Sequence, residues 1–312
     1  GFEVIRASLP TAAARMSGKP AGSPVGALSL DKIKLRVMEQ NVRRMTVCFA
    51  DLGRRLLKLD NLEKFTGKGG VYQQYRPDYA AEALRYLQDK LGIGAGACVA
   101  DIGSGTGIFT RQLLLLGARV FAVEPNPDMR AEAERQLSGF PGFHSVAGRD
   151  SGTTLPDKSV DLVSAAQAFH WFDPAAFRQE CQRILKPRGK VLLVWNQRDP
   201  NSPVNIASKA VFSEYCPDFI GFSGGMSQRD ARIDLFFTQG YELLQFAYPI
   251  YYTREAYIGR CLSASYAILP DNPRYEQFLA ALGTVFDQFQ QEGKLLLSNT
   301  TVFQLGSVSQ AE

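Results

Sequence analysis

Histidine is nearly absent from this 312-residue chain: His144 and His170 are the only two, and they lie far apart. A dedicated metal site of the Cys/His kind is therefore not expected. Cysteine is scarce too. Cys48, Cys98, Cys181, Cys216 and Cys261 are scattered, odd in number and without C-x-x-C spacing. That argues against a disulfide framework and for reduced, buried thiols in a cytoplasmic protein. No run of 18 apolar residues occurs, so no membrane span is expected. No internal repeat is present. Acidic residues are almost missing from the first 30 positions, where Glu3 stands alone.

What is present is unevenly distributed. The net charge is +4, yet residues 1–70 hold 13 Lys and Arg against 6 Asp and Glu, and the remainder 22 against 25. A near-neutral body is a poor profile for a nucleic-acid partner, which would meet a positive stripe around the site. Residues 1–30, rich in Gly, Pro, Ser and Ala, read as a flexible leader. The same composition fits the remnant of a transit segment, which would place the protein in an organelle. Over residues 31–63 the apolar positions Val37, Met38, Val42, Met45, Phe49, Leu52, Leu56 and Leu59 recur every three or four, with Arg43, Arg44, Arg54, Arg55 and Lys58 between them. This predicts a basic amphipathic helical extension, packed on its own domain or docking a partner. Residues 64–312 form the main domain, with 45% hydrophobic residues in the chain to build its core.

The chemistry starts at Val99-Ala100-Asp101-Ile102-Gly103-Ser104-Gly105-Thr106-Gly107. An apolar strand runs into a turn with glycine at alternate positions, and a helix follows through Phe109, Leu113, Leu114 and Leu116. Glycine permits positive φ and close backbone approach of a ligand, and the helix start offers unpaired N–H groups. A dinucleotide fingerprint has the spacing G-x-G-x-x-G and sets a pyrophosphate on the helix. Here the spacing is G-x-G-x-G, and Asp101 stands two residues ahead of it. A carboxylate there repels a pyrophosphate and attracts a ligand carrying an ammonium and a sulfonium. A second apolar strand, Ala118 to Val123, ends in Glu124, where nucleotide folds grip a ribose diol. Pro125-Asn126-Pro127 then opens a helix, with Asn126 as cap and Pro127 at its first position.

Together, V-A-D-I-G-S-G-T-G and V-E-P-N resemble motifs I and II of the class I S-adenosylmethionine-dependent methyltransferases. Further segments narrow the resemblance to small-molecule enzymes of the trans-aconitate methyltransferase-like, methyltransferase type 11 group. They are Lys64-Phe65-Thr66-Gly67-Lys68 with Tyr75-Arg76-Pro77-Asp78-Tyr79, Ala166-Gln167-Ala168-Phe169-His170-Trp171-Phe172-Asp173, and the turn Leu185-Lys186-Pro187-Arg188-Gly189 before a strand. The resemblance spans about residues 64–306. The Asn/Asp-Pro-Pro-aromatic run of enzymes that methylate exocyclic amines of bases is not found after the fourth strand.

The resemblance implies an α/β fold: a Rossmann-like, seven-stranded, mostly parallel sheet with helices on both faces, with lid segments at about 64–79 and 200–270 and the N-terminal helical extension. It implies methyl transfer from S-adenosylmethionine, with S-adenosylhomocysteine as product, to a carboxylate or hydroxyl oxygen of a small-molecule acceptor. A macromolecular acceptor docked through residues 31–63, or a non-catalytic cofactor-binding scaffold, is the alternative. The cofactor would be held by Asp101, Gly103, Ser104, Gly105, Gly107, Glu124, Pro125, Asn126, Asp150, Ser151, Gln167 and Tyr75. The family's Ala-Glu pair ahead of L-P-D falls on Asp150 and Ser151, so the adenine-side acid is displaced by one position, onto Asp150. Arg76, Trp171, Arg198 and Tyr266 would face the acceptor. Ser263 and Ser265 are weaker acceptor contacts. His170 would act either as a base for an acceptor hydroxyl or as an orienting residue of its loop.

Overall fold

The computed structural model describes the backbone of residues 3–7 and, with side chains, residues 77–222 and 230–308. The helix expected over 31–63, the first part of the lid at 64–76, and Tyr75 and Arg76 within it lie outside the described residues.

In chain order the elements are β1 (Glu3–Ala7), α1 (Ala81–Leu91), β2 (Cys98–Ile102), α2 (Ile108–Leu115), β3 (Arg119–Val123), α3 (Pro127–Leu137), β4 (Phe143–Val146), β5 (Val160–Ala166), α4 (Pro174–Ile184), β6 (Leu185–Arg198), α5 (Pro203–Tyr215), α6 (Ala231–Phe236), β7 (Tyr241–Ala247), β8 (Ile250–Tyr252), α7 (Arg254–Leu262), α8 (Tyr275–Phe289), β9 (Leu295–Leu297) and β10 (Asn299–Gly306). Seven strands form the expected Rossmann-like sheet in the order β7-β10-β6-β5-β2-β3-β4, with β1 added outside β7. β4, β3, β2, β5 and β6 are parallel neighbours, and β10 runs antiparallel between β6 and β7. The eighth strand corrects one expectation. Glu3–Ala7, assigned to a flexible leader, pairs antiparallel with Tyr241–Gln245 of β7.

Side chains alternate across the sheet, as a strand buried on both faces requires. Val99, Val120, Leu162, Leu192 and Val194 meet α1 and α2 on one face through Ala83, Leu87, Phe109 and Leu113. Ala100, Val123, Val163, Leu193 and Trp195 meet Phe177 and Ile184 of α4 and Phe236 of α6 on the other. The Trp195 indole, almost wholly buried, donates Nε1–H to Gln304 Oε1 at 2.9 Å, so its one polar atom is satisfied.

Two expected boundaries move. Gly240 to Tyr252 is not one strand. Pro249 interrupts it, because proline has no N–H for the ladder, and β8 instead pairs with β9 in a separate ribbon. The L-K-P-R-G turn is absorbed into β6 as a bulge: Val160 pairs with Leu185 and Leu162 with Lys190, and Arg188 takes φ 68°. The expected lid range is redrawn as well. β7 lies in the main sheet, whereas α5, α7, α8, β8 and β9 share a satellite core around Phe212, Tyr257, Phe278 and Leu297.

Candidate functional site

The parallel strands β2, β3, β5 and β6 end on one edge of the sheet, and the loops leaving them build the site, as the general rule for open α/β sheets requires. The glycine turn comes first. Gly103, Gly105 and Gly107 have φ of 67°, 58° and 85°. A Cβ on Gly103 would sit 2.8 Å from that of Ala168, so this glycine lets the turn press against the loop after β5. A Cβ on Gly105 would meet nothing within 4 Å. The turn is therefore open at its tip. On either side of that opening the Ser104 and Thr106 hydroxyls are shut off from solvent with no hydrogen-bond partner. Buried polar groups are ordinarily satisfied, so two orphans beside an open glycine fit a polar ligand.

Asp101 lies beneath the turn. It is fully buried, and its carboxylate accepts the Thr110 hydroxyl at 2.7 Å and the Ser164 hydroxyl at 2.8 Å. Burial pushes its carboxyl up to about 6, against the pull of those two hydroxyls. Its negative charge acts from below the loop, and its side chain is committed to Thr110 and Ser164. Those two residues were not singled out in the sequence. A serine within the apolar run of β5, in register with Asp101, was the available signal.

Glu124, at the end of β3, bridges the site from the other side. One oxygen accepts the Gly105 N–H at 2.8 Å and the other the Asn126 N–H at 2.8 Å. Burial raises its carboxyl above the ordinary range, while those two N–H groups and Arg130 oppose the rise. Asn126 caps α3 as its position suggested, accepting from Asp128 N and Met129 N at 3.0 Å, with Pro127 at the first helical position. Pro125 lies between them, half-buried.

Asp150 is turned inward and accepts the Asp173 N–H at 3.3 Å, whereas Ser151 is exposed. The stretch after Asp150 is tied to α4 by a network that sequence reading missed. Glu180 accepts the Thr153 N–H at 2.7 Å and its hydroxyl at 2.6 Å, and Arg183 donates to Glu180, to the Leu155 carbonyl and to Asp157.

After β5, Gln167 takes φ 55°, rare for a residue with a side chain and a mark of local strain. Its N–H donates to the Val194 carbonyl at 2.8 Å and its side-chain amide to the Asn196 carbonyl at 3.3 Å. The loop is thereby fixed to the end of β6. His170 and Trp171 follow in a short 3-10 turn, half-buried, with the imidazole 4.6 Å from the Trp171 ring and 5.9 Å from Trp195. Asn196 in turn donates to the Asp78 carbonyl at 2.8 Å and accepts from Thr301 at 2.7 Å. This pins the chain leading into α1 over the same sheet edge.

Arg198, at the last position of β6, lies 4.0 Å over the Phe222 ring. Phe219 links Phe222 (5.3 Å) to Tyr266 (4.8 Å), and Tyr266 also meets Phe212. Arg198 and Tyr266 thus border one aromatic cluster, while His170 and Trp171 sit against Trp195. Ser263 is buried, its hydroxyl donating to the Arg260 carbonyl at 2.8 Å, and Ser265 is half-buried. No group of three or more His, Cys, Asp or Glu suited to a metal occurs among the described residues, nor any helix long and apolar enough to cross a membrane.

Residues 100–193 match the family of the methyltransferase domain. An uncharacterized methyltransferase of Mycobacterium tuberculosis is 40% identical over 130 residues, which cover 42% of this chain and 51% of that protein. An uncharacterized methyltransferase-like protein of Schizosaccharomyces pombe is 32% identical over 166 residues, covering 52% and 64%. The chain thus spans about half to under two thirds of the length of these relatives. Among solved structures, one from Anaeromyxobacter dehalogenans, provisionally named a type II methyltransferase, aligns with a TM-score of 0.53 at 20% identity, over 76% of this chain and all of that one. Another, from Anabaena variabilis, provisionally named a methyltransferase of an antibiotic biosynthesis pathway, aligns with 0.53 at 21%, over 74% and 99%. These two share the fold.

Proposed function

We propose that this chain, whose residues 100–193 match the methyltransferase domain family, is a class I S-adenosylmethionine-dependent methyltransferase that moves the methyl group of S-adenosylmethionine to a carboxylate or hydroxyl oxygen of a small molecule. The observation that carries the reading is the open tip of the glycine turn at Gly105, flanked by the unpartnered Ser104 and Thr106 hydroxyls and faced by Glu124. When bound, the cofactor supplies a methyl group already activated by its sulfonium. The protein's task is then to bind, align and exclude water.

Each residue has a role in that task. The glycine turn, Ser104 and Thr106 take the methionine portion, with Asp101 contributing negative potential from beneath. Glu124 is the ribose grip, and Asp150 the adenine-side acceptor. Gln167 holds the loop after β5 against β6, and Trp171 walls the acceptor side. A carboxylate acceptor needs no base. A hydroxyl acceptor would yield its proton to His170, with the imidazole kept in place by Trp171 and Trp195.

Isothermal titration with S-adenosylmethionine, S-adenosylhomocysteine and NAD tests the reading. Micromolar binding of the two sulfur ligands, with none of NAD, is the expected result. Failure of both sulfur ligands to bind overturns it.

A further inference from the structure

The Arg198 side chain is half-buried at the end of β6. It stacks on Phe222 at 4.0 Å, it hydrogen-bonds the Cys261 side chain, and its charge acts on Tyr257 and Cys261, both fully buried. Its Nη1 is closed off from solvent and has no hydrogen-bond partner. Tyr257 is engaged with Ser208, hydroxyl to hydroxyl at 2.9 Å, and burial pushes both the Tyr257 phenol and the Cys261 thiol up, so neither supplies a negative charge at neutral pH. Among the described residues no carboxylate forms an ion pair with Arg198. A partly desolvated guanidinium with an unpaired N–H is destabilising unless an anion completes it.

We propose that Arg198 is the anchor for an acceptor carboxylate, and that Phe219, Phe222 and Tyr266 receive its apolar or aromatic body. This rests on the methyltransferase reading for its purpose but not for its test. The chemistry favours a carboxylate over a phosphate. The guanidinium fork matches two coplanar oxygens, and the side chains it abuts are neutral, so one negative charge is balanced and a second is not. The aromatic cluster selects the remainder of the molecule: Phe219 and Tyr266 are half-buried and can pack against a flat or alkyl body. The acceptor class is therefore a small monocarboxylic acid with an apolar body, and Arg198 is a specificity-determining residue.

The test titrates the full chain, with and without saturating S-adenosylhomocysteine, with a series of aryl and alkyl monocarboxylates. Each is paired with its neutral amide and, for the aryl members, with the corresponding phosphate. Binding is measured to wild type, Arg198→Gln and Phe222→Ala, and the melting temperature of each ligand-free protein is recorded. Carboxylates should bind wild type at least 10-fold more tightly than their amides. Arg198→Gln should erase that preference, by about 10- to 100-fold for a charge-assisted hydrogen bond, while S-adenosylhomocysteine binding is kept. Equal binding of acid and amide, a preference for the phosphate, or no binding of any acid each overturns the proposal. Loss of S-adenosylhomocysteine binding in wild type, with the Arg198-dependent acid preference intact, would instead strike the methyltransferase reading alone.

Discussion

Glu124 accepts the N–H of Gly105 at 2.8 Å, so the end of the second parallel strand of the Rossmann-like unit holds the tip of the glycine turn that follows the first. The same carboxylate fixes Asn126 at the start of α3. One side chain thus sets the spacing of two loops at this edge of the sheet. Glu124→Ala leaves the N–H groups of Gly105 and Asn126 without their charged acceptor and removes the proposed ribose grip. S-adenosylmethionine binding should weaken by about 10- to 100-fold, the worth of one or two charge-assisted hydrogen bonds. Titration calorimetry reads this directly. Unchanged affinity would remove Glu124 from the site.

The buried Asp101 carries a pH signature. Its carboxyl is pushed up to about 6 by burial, above the ordinary 3.8. A group raised in this way costs the folded state most above pH 6, and that cost is relieved as pH falls from about 6 toward 4. A cationic ligand favours the ionised form, so binding has the opposite dependence. S-adenosylmethionine affinity should fall as pH drops through about 6. Asp101→Asn keeps the shape and should bind weakly with no such dependence. The ligand-free variant should gain in melting temperature over wild type at pH 8 more than at pH 5. Affinity that is level from pH 5 to 8 in wild type counts against a field from Asp101.

The sheet and its glycine turn were legible because their signals are local: apolar runs, glycines at fixed offsets, an acid closing each strand. Asp101, Glu124 and Asn126 stand where those offsets placed them. The partners of Asp101 were not legible, since Thr110 and Ser164 are brought to it by packing and by strand register, across 9 and 63 positions. Pro249 was visible, yet its consequence depends on a partner strand, β9, more than 40 residues away. The Arg183–Glu180–Thr153 network is long-range in the same sense. Arg198 was legible as a residue at a strand end. That its Nη1 is buried without a partner is a property of the folded surroundings alone.

Glu180 illustrates a residue that acts through others. Its hydrogen bond from Arg183, with those from Thr153, holds its carboxyl at about 2, below the ordinary 4.5. The stabilisation is therefore present above about pH 4.5 and lost as pH falls toward 2. Glu180→Ala abandons the Thr153 N–H and hydroxyl and takes from Arg183 one of its two carboxylates, leaving it Asp157; Arg183 is partly exposed and so partly screened. The expected loss is about 2–3 kcal/mol. Because the released stretch begins at Asp150, cofactor affinity should fall as well, and Glu180→Gln, which still accepts from Thr153, should recover part of it. Urea unfolding and titration calorimetry measure the two effects. Normal affinity in a destabilised Glu180→Ala protein would confine Glu180 to stability.

The turn glycines separate ligand space from packing space. At Gly103 an alanine would press its methyl into Ala168 at 2.8 Å and toward Phe172 at 3.1 Å. At Gly105 it would project into the open crevice. Both positions have positive φ, so each alanine carries a backbone strain of about 1–2 kcal/mol. Only Gly103→Ala adds a clash, so it should be the less stable by roughly a further 1–3 kcal/mol, the usual cost of overpacking. Gly105→Ala should stay folded yet lose S-adenosylmethionine binding by more than its stability loss explains, because its methyl takes up space the ligand needs. Melting curves of the two variants beside their binding isotherms make the comparison. Gly105→Ala binding as tightly as wild type would mean that the open tip of the turn is not where the cofactor lies.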